Sequence, residues 1–252
     1  MVTQKIIPCL DIQNNKVVKG THFENLLLAG TPLALAKRYQ DEGADELAIL
    51  NITADPKNKQ NFKNLIHEIS IEVDLPLIVG GCINSLQEAQ ELINLGASKI
   101  SINSAAVKTP FLINELVQNL GSSKVIVAID TRFEHDSWWV YTQGGKVRTQ
   151  IKVLTWIKEV AQRGAGEILL TSIDHDGARK GYPIDLFIAV TEQISIPVIA
   201  SGGAGSITHF IELFANTRTS AALAASIFHY QQVSIKKLKH TLKHITNANR
   251  AN

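Results

Sequence analysis

The feature that most constrains this chain is an internal repeat. Ile6-Ile7-Pro8-Cys9-Leu10-Asp11 is an apolar run ending on a carboxylate, and Val125-Ile126-Val127-Ala128-Ile129-Asp130 does the same 119 residues later. Gly43-Ala44-Asp45-Glu46-Leu47 corresponds to Gly164-Ala165-Gly166-Glu167-Ile168, Val79-Gly80-Gly81 to Ser201-Gly202-Gly203, and Ser101-Ile102-Asn103-Ser104 to Leu223-Ala224-Ala225-Ser226. The offset reaches 122 at Ser104 and Ser226, a drift that a few loop insertions account for, so the chain reads as a duplicated module.

Within each half, short β-branched runs alternate with longer helical patterns, the signature of βαβ units around a parallel sheet. The strands are expected at Lys5–Asp11, Glu46–Ile52, Leu77–Gly80, Lys99–Ile102, Val125–Asp130, Glu167–Ser172, Val198–Ala200 and Ala221–Ala224. Their near-continuous apolarity implies that both faces are covered. Thr31-Pro32 supplies an N-cap and first-turn proline, Ser85-Leu86-Gln87-Glu88 reads as a capping box, and Gly43, Gly96 and Gly164 stop helices. Four units per half close naturally into an eight-stranded α/β barrel. No Pro-, Gly- or Ser-rich linker divides the 252 residues, so residues 1–252 are expected to form a single domain.

Composition sets outer bounds. Hydrophobic residues make up 45% of the chain, ample for a core, yet no apolar run approaches the roughly 18 residues of a membrane span, and the N-terminus lacks the order of a signal peptide. A cytoplasmic protein without a membrane association is the expectation. Lys and Arg number 25 against 23 Asp and Glu, so nothing global points to nucleic acid. Cys9 and Cys82 each fall in an apolar strand-like run and are expected as reduced, buried thiols.

In such barrels the chemistry lies at the C-terminal ends of the strands. Asp11 and Asp130 end strands on opposite sides of an eight-membered ring, which makes them candidates for general acid and base work on one ligand. Gly80-Gly81 with Asn103-Ser104 would form one cup of backbone N–H groups, and Gly202-Gly203 with Ala225-Ser226 a second, each near a helix start where anions bind. Two cups imply a long ligand with a phosphate at each end.

Two connections are too long for simple turns. Residues 12–30 read as a lid or binding loop, with Lys19 either solvated or poised over an anion, and residues 131–150 as a small hairpin around Trp138–Thr142 and Gly144-Gly145. Asp174-His175-Asp176-Gly177 is either a solvent-facing turn or part of the mouth. His240 and His244 have helical metal-ligand spacing, but lysines surround them and no third ligand is evident, so a basic surface tail is expected instead of a metal site. At the other end of the strands, Lys5, Glu46, Lys99 and Glu167 are either exposed strand starts or an inward ring of alternating charge, which must be mutually paired to be tolerated.

Taken together, Ile7–Asp11, the segment Val17-Val18-Lys19-Gly20-Thr21 with Phe23-Glu24-Asn25-Leu26, Val127–Asp130, Gly164–Asp174 and Ala200–Gly205 resemble the cyclase subunit of imidazole glycerol phosphate synthase over essentially the whole chain. The resemblance implies a (β/α)8 TIM barrel of two (β/α)4 half-barrels, working in histidine biosynthesis. It would use ammonia from a glutaminase partner, in a heterodimer, to convert a bisphosphorylated ribulosyl aminoimidazole carboxamide ribonucleotide into imidazole glycerol phosphate, releasing aminoimidazole carboxamide ribonucleotide, with no cofactor. By position it assigns acid/base work to Asp11 and Asp130, and substrate contacts to Lys19, Asn103, Ser104, Asp176, Gly177, Gly203 and Ser226. Lys5, Glu46, Lys99 and Glu167 match an ammonia gate. Asn51 stands in place of the usual Asp, Cys82 in place of a third glycine, Ser98 in place of an acidic residue and Gln150 in place of a glycine; Asn216–Ser220 is one residue longer than usual. A related sugar-phosphate isomerase shares the repeat and the aspartates but explains no charged gate. A weakly catalytic glutaminase-binding scaffold is the alternative raised by the substitutions.

Overall fold

In the computed structural model, which describes residues 4–53 and 58–248, the first strand does not stop at its carboxylate. Strand β1 (Lys5–Gln13) passes Asp11 and folds back through β2 (Lys16–Thr21) and β3 (Glu24–Gly30), so the expected loop 12–30 is an antiparallel ribbon. The chain continues with β4 (Leu47–Asn51), β5 (Leu77–Gly80) and β6 (Lys99–Ile102). The second half repeats the plan. Strand β7 (Val125–Glu134) overshoots Asp130 into the hairpin strands β8 (Ser137–Thr142) and β9 (Val147–Lys152), followed by β10 (Glu167–Ser172), β11 (Val198–Ser201) and β12 (Ala221–Ala224).

Eight of these strands pair in parallel, in the order β1, β4, β5, β6, β7, β10, β11, β12, and β12 returns to β1. The sheet is therefore a closed barrel, with helices between successive strands. Alternation along the strands divides the core in two. Ile7, Cys9, Ala48, Ile78, Ile126 and Leu169 are among the side chains that fill the lumen. Ile6, Leu10, Leu47, Ile49 and their equivalents face the helices and form the larger cluster. No helix among the described residues is long and apolar enough to cross a membrane.

The helix signals hold with two adjustments. Thr31 is the extended residue before Pro32–Asp41, but its side chain makes no capping bond; Pro32, whose missing N–H needs no partner, sets the start. Ser85 Oγ accepts from the Glu88 N–H at 3.3 Å, whereas the Glu88 carboxylate reaches back to the Asn84 N–H at 2.8 Å, one residue earlier than a capping box requires.

The repeat survives at the level of backbone contact. A Cβ on Gly81, whose φ is 94°, would lie 2.0 Å from the carbonyl oxygen of Asn51; on Gly202, φ 90°, it would lie 2.4 Å from that of Ser172. Contact thus pairs Gly81 with Gly202 and Cys82 with Gly203, one residue out of step with the sequence alignment of the glycines. Cys82 is also not the buried strand thiol expected. The strand ends at Gly80, and Cys82 sits exposed in the following turn at φ 57°, while Cys9 is buried in the lumen as expected.

Candidate active site

Both carboxylates stand at branch points. Asp11 is paired with Leu50 on the barrel side and Val18 on the ribbon side; Asp130 is paired with Thr171 and with Tyr141. A strand that leaves the barrel exactly where its inward side chain is polar puts that side chain in the mouth and uses the overshoot to build a wall beside it. This is why a carboxylate can end a buried run at tolerable cost.

Their surroundings differ. Lys19 is not solvated: its side chain is 10% exposed and its ammonium reaches Asp11 at 3.2 Å and both oxygens of Asp176 at 3.0 Å. Burial works against the ammonium, but the two carboxylates outweigh it and hold Lys19 firmly protonated. Asp176 is buried, so its loop is part of the mouth, and Gly177 gives the ribbon room: a Cβ there would meet the carbonyl oxygen of Gly20 at 2.6 Å. The buried Cys9 thiol lies 3.7 Å from Asp11.

Asp130 is paired with no such cation among the described residues. It is buried, and the carboxamide of Asn103 donates to it at 2.8 Å. Burial pushes its carboxyl up to about 7, against the hydrogen bond from Asn103 and with the help of the negative charges of Asp176 and Asp11. The side-chain oxygen of Asn103 is buried and has no hydrogen-bond partner among the described residues.

The residues expected to form the two cups stand at adjacent strand ends. Gly80 pairs with Ser101 in the first, and Ser201 with Leu223 in the second. Asn103 and Ala225 precede short helices in closely matching backbone, φ −130°, ψ −94° and φ −125°, ψ −75°. Around them lie the remaining predicted residues, Ser104 and Ser226 at the helix starts. Each cup is finished by a different loop. Ser104 Oγ accepts the Gln143 N–H at 2.9 Å from the hairpin, whereas Gly203 receives the loop after β10 through a 2.9 Å bond from the Gly181 N–H to its carbonyl. Near Ser226, Arg38 donates to the Phe228 carbonyl at 2.7 Å, and the Tyr39 hydroxyl and Nδ1 of His229 share a 2.5 Å hydrogen bond; burial holds this histidine neutral, with its pKa down at about 4.

Among the substituted positions, Asn51 is buried and its side-chain oxygen accepts the Thr53 N–H at 3.0 Å. Ser98 Oγ accepts the Leu77 N–H at 3.3 Å. The 216–220 segment is tied by a 2.8 Å bond between the hydroxyls of Thr217 and Thr219. Sequence reasoning did not single out Gln143, Tyr39, His229 or Arg38. Each acts across a gap of dozens of residues, and none carries a local signal.

At the opposite end, the four charged residues do meet. Glu46, 3% exposed, accepts from Lys5 and from Lys99 at 3.0 Å, and Lys99 also reaches Glu167 at 2.6 Å. Burial lowers and the two carboxylates raise the Lys99 pKa, with a net rise. The four charges are thus mutually paired at the barrel floor. His240 and His244 place their Nε2 atoms 3.0 Å apart on the exposed face of the last helix.

The histidine biosynthesis protein family matches residues 5–234 of the chain. The imidazole glycerol phosphate synthase subunit HisF of Flavobacterium psychrophilum is 46% identical over 246 residues, covering 98% of both chains. The subunits of the same name from Flavobacterium johnsoniae and Parabacteroides distasonis are 46% and 45% identical over 243 residues, each covering 96% of this chain and 97% of the relative.

Proposed function

The chain belongs to the histidine biosynthesis protein family, in its branch of imidazole glycerol phosphate synthase cyclase subunits, and from that premise we propose how this mouth divides the chemistry. The observation that carries the proposal is the unequal setting of two repeat-related aspartates: Asp11 beside an ammonium, Asp130 buried beside a neutral amide. Where two carboxyls share a site and their environments separate them, the one raised towards neutrality is the acid. Asp130 therefore gives the proton and Asp11 receives one.

Building an imidazole from ammonia and a keto sugar requires both transfers. Ammonia adding to the keto carbon must lose a proton from nitrogen, and the oxygen must leave as water; ring closure then expels an amine. Asp11 takes the proton from nitrogen and Asp130 protonates the departing group. Lys19 screens the phosphate-bearing chain, and Asp176, with Gly177, keeps that lysine over Asp11. The cup of Gly81, Asn103 and Ser104 holds one phosphate; that of Gly202, Gly203, Ala225 and Ser226 holds the other.

Lys5, Glu46, Lys99 and Glu167 serve as the gate through which ammonia enters from a glutaminase subunit docked on the barrel floor, forming a heterodimer in the cytoplasm. The side chains packed above the gate, among them Ile7, Ala48, Ile78 and Ile126, are apolar, so neutral ammonia, not ammonium, is the species that could pass among them. The whole chain, residues 1–252, works as one domain, with no cofactor. Residues 1–3, 54–57 and 249–252 of that span lie outside the described residues. The relatives' name of subunit supports a complex.

Purified protein supplied with the bisphosphate and an ammonium salt, without any partner, is expected to release imidazole glycerol phosphate and aminoimidazole carboxamide ribonucleotide. No ammonia-dependent turnover at saturating substrate would leave the scaffold reading instead.

A further inference from the structure

The ribbon that carries Lys19 ends in a two-residue turn made of residues that such turns disfavour. Thr21 pairs with Glu24 across it, and between them His22 and Phe23 both adopt left-handed backbone, φ 53° and 66°. Hairpin turns with two positive φ angles draw Asn and Gly, because a side chain there crowds its own backbone. A turn strained at both positions persists only when its surroundings hold it.

The holds are visible on either side. The N–H of His22 donates to the Asp176 carbonyl at 2.9 Å. Its ring nitrogen Nδ1 lies 2.9 Å from the Ile173 carbonyl, an atom that can only accept, so Nδ1 carries the hydrogen. Phe23 lies against the tip of the other hairpin, where a Cβ on Gly145 would meet its ring at 2.9 Å. One strained residue is thus fastened to each wall of the mouth. The loop that receives His22 is the loop that receives Lys19, whose ammonium bonds the side chain of Asp176.

We infer that His22 is a positioning residue: its Nδ1–H bond to the Ile173 carbonyl registers the ribbon tip against residues 173–177 and thereby places Lys19 between Asp11 and Asp176. The inference rests on Lys19 acting on substrate in this mouth. His22 touches no reacting atom in this scheme. A ribbon without the strap is closed for a smaller fraction of the time, which raises the apparent dissociation constant of whatever it closes over and leaves the closed complex itself unchanged.

The test compares wild type, His22→Ala and His22→Asn, since the Asn carboxamide can donate from nearly the same place and a methyl group cannot. With the bisphosphate and ammonium salt, His22→Ala is expected to raise KM about fivefold, the usual worth of one neutral hydrogen bond, with kcat within twofold and His22→Asn close to wild type. A second arm needs no substrate. Trypsin cleavage after Lys19, which requires the ribbon to lift, is expected about fivefold faster in His22→Ala than in the other two. Equal cleavage and equal KM in all three proteins would overturn the inference, as would His22→Asn behaving like His22→Ala. A lowered melting temperature with unchanged ribbon cleavage would reduce His22 to a structural contact. Should wild type show no turnover, the functional reading fails while the trypsin arm still decides the strap.

Discussion

Asp11 and Asp130 occupy the same place in two copies of one module, each where a barrel strand leaves the barrel for its own ribbon. What separates them is what the ribbon brings back. The first ribbon returns Lys19 to Asp11, and Asp176 from the other half secures it; among the described residues no cation is paired with Asp130, which is buried and takes a hydrogen bond from a carboxamide. The repeat supplies two equivalent carboxyls, and burial without a cation beside it raises the carboxyl of Asp130. The cups diverged in the same way. Gly203 keeps the freedom of a glycine at φ 119°, while its contact equivalent Cys82 is a side chain held at φ 57°.

The largest expected effect tests whether the pair works at all. Asp11→Asn and Asp130→Asn should each lower ammonia-dependent turnover by at least about 100-fold, the scale of a lost acid or base, with bisphosphate binding retained. Near-normal rates in both variants would end the two-carboxylate account.

Next comes stability, which separates the two without any substrate. The carboxyl of Asp130 titrates from about 7 in the folded protein, above the 3.8 of an unperturbed Asp, so between these values the folded state holds more protons than the unfolded one. Stability must fall as pH rises through that window. Asp130→Asn should therefore be more stable than wild type at pH 8, by about 4 kcal/mol in denaturant titrations, and the gain should vanish below pH 4. A gain of equal size at both pH values would point to packing instead of charge.

The smallest effect concerns the cups. A non-glycine residue in left-handed backbone costs about 1 kcal/mol, partly offset by the greater freedom of unfolded glycine, so Cys82→Gly should stabilise the protein by up to about 1 kcal/mol and lower KM slightly. Loss of stability instead would mean that the 3.6 Å contact of Cys82 with the Thr53 carbonyl outweighs the strain.

Much of this was legible in the sequence, and for a physical reason. Alternation, turn glycines and the repeat are local or periodic signals, and they locate the eight barrel strands, the two aspartates at their branch points and the charged residues at the strand starts. The termini of β1 and β7 were misplaced because a polar residue after an apolar run looks like a strand end, whether the chain turns there or merely leaves the core. The sequence leaves Lys19 either solvated or poised over an anion, because the carboxylate it meets, Asp176, lies 157 residues away. Cys82 looked buried because the residues before it are. The environment of Asp130 depends on Asn103 and on burial by elements far along the chain, so no pattern within the strand could reveal it.

The most direct test of the unequal pair is the pH dependence of kcat/KM for wild type and Asp130→Asn, with free ammonia held constant at every pH. If Asp130 is the acid, wild-type kcat/KM falls as pH rises through about 7 and that limb disappears from the residual activity of the variant. A limb near 7 that persists in Asp130→Asn, or a wild-type profile without one, would contradict the assignment.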